Sequence, residues 1–389
     1  MDTKKTDQSK ILRGCDIVCF PQDWTGDPLS KTHLMRILAR DNRVLWVNSI
    51  GLRSPSASKA DVSRAFQKIA SAMTPIKEVE PNLFVMSPFT IPAYGHSFLR
   101  FVNQQSLLFQ VRKAMRKLGF KRPVNYSFLP SAALLAGKLD EELIIYHCVD
   151  EYAAFSDIES QPILDMEETL LKKSDVVIVS ADALYHSKIK HNVNTHLVRH
   201  GVDYAHFRKA LDADTKIPEE IANLPHPVIG FFGLIADWVD VELMAKTAGH
   251  FSQGSLVVVG KTTTDVSELE KLPNVHLLGR KPYADLPNYC KGFDVALNPF
   301  IINELTISAN PLKVREYLAA GLEVVSTDIP EVRILDFCRI GETHEGFIRQ
   351  IEEALENPKS KIEISDSVKL ESWEARVDEL REIIAGSEN

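Results

Sequence analysis

The chain has 389 residues, 44% hydrophobic and 25% charged, with 18 Gly and 20 Pro, a composition that builds folded cores and excludes collagen-like, coiled-coil and disordered chains. The formal charge of −8 is unevenly shared: residues 1–200 hold 26 Lys+Arg against 21 Asp+Glu, leaving 19 against 32 for 201–389. An acidic chain without a recognisable nucleic-acid module argues against a nucleic-acid partner, and the two halves are expected to face different partners.

Short apolar runs alternate with helix-length amphipathic segments from the start. CDIVCF (15–20) is followed by an expected helix from about Leu29 to Arg40 and then by RVLWVN (43–48). This βαβ rhythm predicts a parallel sheet covered on both faces. Further strands are expected at 82–86, 123–128, 143–149, 175–180 and 196–200. The polar stretch 208–225 has no strand pattern and reads as a linker. A second series follows at 227–233, 255–260, 275–279, 293–300 and 323–328. The fold class is therefore α/β, with two doubly wound Rossmann-like domains at 1–207 and 226–368. The closing SWEARVDELREII (372–384) predicts an amphipathic helix with Ser372 as cap and Trp373, Val377, Leu380 and Ile384 on one side.

No run approaches the roughly 18 apolar residues of a membrane-spanning helix, and MDTKKTDQSK at the start is polar, so a cytoplasmic location is expected. The five cysteines form no CxxC pair and are expected to be reduced packing residues. GKTTT (260–264) lacks the spacing of a phosphate-binding P-loop, GFFG (230–233) is not a full GxGxxG, and no metal-ligand pattern is present. Gly233 still closes a strand with a turn where backbone can approach a ligand.

The most informative stretch is NPFIINELTISANPLKVREYLAAGLEVVSTD (298–328). Asn310 is placed as an N-cap with Pro311 at the first helical position, and the helix stops at Gly321. The amides and positive dipole of such a helix start suit an anion, with Lys313 adding a full charge and Glu316 on nearly the same face. Its place after an apolar strand puts it at the carboxyl edge of a sheet, where open α/β folds bind ligands.

The runs GRKPYADLPNYCKGFDVALNPF and NPLKVREYLAAGLEVVSTDIPEV resemble the donor domain of bacterial group 1 glycosyltransferases of the GT-B fold, polysaccharide-biosynthesis type. YHCVDEY, EETLLKKSDVVIVSADAL and HLVRHGVDYAHF resemble the middle of the same proteins. The resemblance implies a nucleoside diphosphate sugar donor held by the second domain and an acceptor held by the first, with a cleft between them. It further implies that the last helix, 369–389, crosses back to the first domain. Lys313 and the amides near Ala309 and Asn310 would hold the diphosphate, Glu316 the ribose, and Gly279, Arg280 and Tyr283 would lie near the base. The family's first glutamate, eight positions before Glu316, is here Ser308; Glu304 is the nearest acid. The Arg and Lys that such enzymes carry after the first donor-domain strand are absent from GLIADWVDVEL.

In the first half, Asp150 ends the strand LIIYHCVD, where a carboxylate can serve as general base toward an acceptor hydroxyl. Asp23 is the second candidate, with Asp27 and His33 as rivals. Between Glu80 and Asp140 there is no acidic residue, whereas the segment around 98–122 interleaves Arg112, Lys113, Arg116 and Lys117 with Phe and Leu. That pattern fits an anionic membrane surface, here the inner face of the cell membrane. The expected function is transfer of a sugar from a nucleoside diphosphate donor to a hydroxyl of a polysaccharide or lipid-linked glycan. Helix-end amides and Lys313 supply the electrostatic stabilisation, and neither metal nor cofactor is required. A sugar-nucleotide epimerase or hydrolase, or a non-catalytic nucleotide-sugar-binding protein, remains open on the same scaffold.

Overall fold

The structure is a computed structural model that describes residues 12–24, 28–49, 76–89, 97–156 and 160–387, without the side chains of 97–100 and 387. Asp27 lies outside the described residues. The chain divides into two compact units, one of residues 1–199 with 377–389 and one of His200–Arg376.

The first unit is built on an eight-stranded sheet. Its strands are β1 (Asp16–Phe20), β2 (Arg43–Val47), β3 (Lys77–Glu80), β4 (Leu83–Met86), β5 (Val124–Ser127), β6 (Leu143–Cys148), β7 (Val176–Val179) and β8 (Thr195–Leu197), in the order β3-β4-β2-β1-β5-β6-β7-β8. All neighbours are parallel except β3 against β4. β3 was not expected, because KEVE is polar and only partly covered at a sheet edge, where apolar periodicity is not required. The order reverses between β1 and β5, the switch point at which doubly wound folds open a crevice at their strand ends. Helix α1 (Ser30–Leu38) follows β1 and buries Lys31, Leu34, Met35 and Leu38, the i, i+3, i+4, i+7 stripe of a helix lying on a sheet. Helix α2 (Ser97–Leu118) leads into β5.

The second unit holds a six-stranded sheet of β9 (Val228–Phe232), β10 (Ser255–Val259), β11 (Val275–Gly279), β12 (Val295–Asn298), β13 (Val324–Thr327) and β14 (Cys338–Gly341), in the order β11-β10-β9-β12-β13-β14 and parallel throughout. β9, β10, β12 and β13 are fully buried, as strands covered on both faces must be. Here the switch point falls between β9 and β12. Residues 208–225, read as a linker from sequence, contain a 3-10 turn and a helical turn whose Ala210 and Ile221 enter the core of this unit.

Helix α3 (Leu312–Ala319) follows β12 and ends before Gly321, whose φ of +80° suits a glycine. Helix α4 (Trp373–Ser387) closes the chain; the Ser372 hydroxyl accepts the Ala375 amide at 3.2 Å, and Trp373, Val377, Leu380 and Ile384 are all buried. Its Arg381 donates to Asp41 of the first unit at 2.7 Å.

Candidate functional site

In the second unit, the carboxyl ends of β9 and β12 bring Gly233 and Lys313 together. The Lys313 ammonium lies 4.1 Å from the Phe231 ring centroid and 5.0 Å from that of Phe300. Both contacts are within cation–π range. A β-carbon on Gly233 would stand 2.7 Å from Lys313 Nζ, so only glycine leaves the lysine its place. Burial pushes the ammonium down to about 7, opposed by the Glu316 carboxylate one turn away. A cation so poorly solvated gains strongly from an arriving polyanion.

The start of α3 differs from expectation in one respect. Asn310 does not cap it: the helix begins at Leu312 after Pro311 and has no side-chain cap. The Asn310 Oδ1 instead accepts from Arg315 Nη1 at 2.6 Å, and Arg315, 1% exposed, also donates to Glu371 at 2.7 Å. The Asn310 carbonyl meets His200 Nδ1 at 2.9 Å. With the amide side chain withdrawn, no side chain caps the first turn, whose Val314 amide donates to the Pro311 carbonyl at 3.3 Å; helix starts without such a cap are where anions are bound.

Other donor-side candidates are distributed around this point. The Ala309 amide donates to the Thr306 carbonyl at 3.2 Å, which commits it within the chain, so the expected diphosphate contact from that amide is not open. Ser308 is buried at the end of the short helix Glu304–Ile307, and Glu304 is exposed at its beginning. Arg280 is exposed just beyond β11, whose last residue Gly279 has φ +65°. The Tyr283 ring stacks on His206 at 4.6 Å and meets Phe207 edge-on, so one of its faces is already covered.

In the first unit, Asp150 follows β6 at the carboxyl edge and is half-buried. Burial pushes its carboxyl up to about 6, against the pull of the Lys31 ammonium and with the push of Glu151. A carboxylate poised near 6 is well matched to proton abstraction at neutral pH. Asp23, the alternative base, is exposed, and its Oδ1 accepts the Ser49 amide at 2.8 Å. Lys31 was missed from sequence. Its signal was its register with Leu34, Met35 and Leu38 on the buried stripe of α1. Among the described residues no three His, Cys, Asp or Glu side chains gather as metal ligands, and no helix is long and apolar enough to cross a membrane.

Residues 226–357 match the family described as glycosyl transferases group 1. That stretch lies inside the second unit and carries β9 to β14 with Gly233 and Lys313. The family inferred from NPLKVREYLAAG is thus borne out. A relative, TuaH of Bacillus subtilis (strain 168), assigned as a glycosyltransferase to teichuronic acid biosynthesis, is 28% identical over 224 residues, 53% of this chain and 55% of its own. The chain therefore spans about half the length of the curated relative it matches.

Solved structures establish the fold. Sucrose-phosphate synthase of Thermosynechococcus elongatus aligns over 96% of this chain and 98% of its own, with a TM-score of 0.68 at 13% identity. Anabaena HepE, solved with UDP, aligns over 96% and 100%, with 0.65 at 14%. The two doubly wound Rossmann-like domains have the GT-B fold of these structures.

Proposed function

We propose that this protein transfers a hexosyl group from a nucleoside diphosphate sugar to a hydroxyl of a polysaccharide or lipid-linked glycan. The observation that carries this is Lys313, an ammonium with little solvation held against Gly233 and Phe231 beside the uncapped start of α3. The bond between the anomeric carbon and the diphosphate oxygen breaks, and the acceptor oxygen bonds to that carbon. The hydroxyl proton passes to Asp150. Negative charge builds on the departing diphosphate, and helix amides with Lys313, already oriented, stabilise it. Glu316, on the same face one turn further, is placed to accept hydrogen bonds from the ribose. HepE binds UDP and UDP-glucose, which supports a uridine donor as the first to try.

The exposed face of α2 supports an acceptor presented at a membrane. Phe101 and Phe109 are 58% and 62% exposed, and Arg112, Lys113, Arg116 and Lys117 continue the same outward side. We infer peripheral contact with an anionic bilayer through this face.

Incubation with UDP-, GDP- and TDP-sugars, read by thermal shift and by product, tests the proposal. Transfer to a lipid-linked or polysaccharide acceptor is expected. Thermal stabilisation with no turnover would make the protein a binder, and donor rearrangement or hydrolysis unaffected by acceptor would make it an epimerase or hydrolase.

A further inference from the structure

The turn that carries Asp150 is anchored by three buried ions. Lys188, the last residue of the helix Asp182–Lys188, donates to Glu151 Oε2 at 2.8 Å and to Glu167 Oε2 at 2.9 Å. Lys188 and Glu167 are each 3% exposed and Glu151 8%, so protein atoms and not solvent must satisfy these charges. Glu167 shares the buried stripe of the helix Ser160–Lys173 with Ile163, Leu170 and Leu171. Its other oxygen accepts the Tyr146 hydroxyl at 2.6 Å and faces Cys148 Sγ at 3.6 Å. Burial pushes the Cys148 thiol up, which keeps it protonated and a donor.

These contacts converge on the residues that follow β6. The Cys148 thiol donates to the Asp150 carbonyl at 3.3 Å, the Ser180 hydroxyl to the Val149 carbonyl at 3.1 Å, and the Ala154 amide to the Glu151 carbonyl at 3.0 Å. Asp150 is therefore flanked by a fixed carbonyl before it and a fixed carboxylate after it. Replacing buried ions with apolar side chains of the same volume is often neutral or stabilising, so stability alone does not account for this cluster. What the ions supply and apolar groups do not is direction: one ammonium ties the turn to the helix Ser160–Lys173 through two oriented, charge-assisted hydrogen bonds.

We propose that Lys188 is a positioning residue of the acceptor-side site: by joining Glu151 to Glu167 it fixes the turn after β6 and with it the Asp150 carboxylate. The assignment rests on Asp150 as the base, while the rigidity of the turn is measurable without turnover. In the wild type, the Ala154 amide is expected to exchange with deuterium about as slowly as the amides of β6. Exchange as fast as in an exposed loop overturns the proposal.

Lys188→Met leaves two buried carboxylates without their cation, so the decisive variant is neutral throughout: Lys188→Met with Glu151→Gln and Glu167→Gln. Its melting temperature is expected near that of the wild type. Its Ala154 amide exchanges about tenfold faster or more with β6 unchanged, and kcat falls about tenfold or more as the carboxylate loses its place. UDP affinity and donor KM stay as they were, because Gly233 and Lys313 belong to the second unit. Recovery of kcat together with stability would make Lys188 a residue of the fold alone and overturn the proposal. Transferase activity retained in Asp150→Asn refutes the base instead, leaving the exchange rates to judge Lys188.

Discussion

A β-carbon at Gly233 would lie 2.7 Å from the ammonium of Lys313, so the last residue of a strand turn and the second residue of a helix 80 positions later define one point in space. Gly233 also adopts φ +132°, outside the usual range of side-chain-bearing residues. Gly233→Ala is expected to displace the lysine and weaken UDP binding at least tenfold, measured by calorimetry. Gly260→Ala, whose β-carbon would fall 1.8 Å from the Gly233 carbonyl, is expected to unfold the unit, because backbone there cannot yield.

Lys313 predicts a pH signature. Its free ammonium loses its proton as pH passes about 7, so affinity for UDP falls about tenfold per unit above that point while the complex stays protonated. Lys313→Met binds weakly at every pH and shows no slope. The stability effect has the opposite direction. Between about 7 and the ordinary 10.5 the unfolded chain holds the proton and the folded chain does not, so wild-type stability rises with pH across this window. Lys313→Met is therefore more stable than wild type at pH 6, with the advantage shrinking toward pH 10, as urea melts at several pH values would show.

Asp150 predicts an acid limb. With its carboxyl near 6, kcat/KM rises as pH passes 6 and the base ionises. Asp150→Asn lowers turnover by a factor of about 100 or more, the usual worth of a general base, and the limb disappears from what activity remains. A wild-type profile flat from pH 5 to 7 would remove Asp150 from the mechanism.

Arg315 predicts a loss of both stability and binding. Its guanidinium spans Asn310 and Glu371, and removing one partner of a buried ion pair costs about 3 kcal/mol. Glu371 keeps Arg376 at 3.2 Å, which places the expected loss at the low end. Arg315→Met also frees Asn310 to cap α3, so UDP affinity falls in proportion to how often the side chain occupies the helix amides. Adding Asn310→Ala should recover part of that affinity.

The strands and their order of appearance were legible because both sheets are covered on two faces and must therefore be written as apolar runs. β3 and β14 escaped, each only partly covered at an edge. Lys313, Gly233 and Asp150 were legible as residues at strand ends or helix starts. The role of Asn310 was not, because its preference for capping is local, whereas Arg315 overrides it through a contact whose other arm, Glu371, lies 56 residues further on. Lys31 was hidden for a similar reason: a charged letter on an apolar stripe reads as solvated until the rings of Phe128 and Tyr152 are seen around it.

The outward face of α2 separates two contributions to membrane binding. Arg112, Lys113, Arg116 and Lys117 are exposed, although Arg112 also donates to the Lys138 carbonyl at 2.6 Å. Each base near an anionic surface contributes about 1 kcal/mol, so replacing all four with Gln should lower partitioning onto phosphatidylserine vesicles by roughly three orders of magnitude. Phosphatidylcholine vesicles should bind neither protein appreciably. Phe101 and Phe109 act through burial instead and are not screened by salt. Phe101→Ser with Phe109→Ser should therefore weaken binding by the same factor at low and high ionic strength, whereas the effect of the four charge replacements should shrink as salt rises. Sedimentation of both variants with vesicles across a salt series distinguishes the two behaviours, and undiminished binding by the charge variant at low salt would show that α2 is not the docking face.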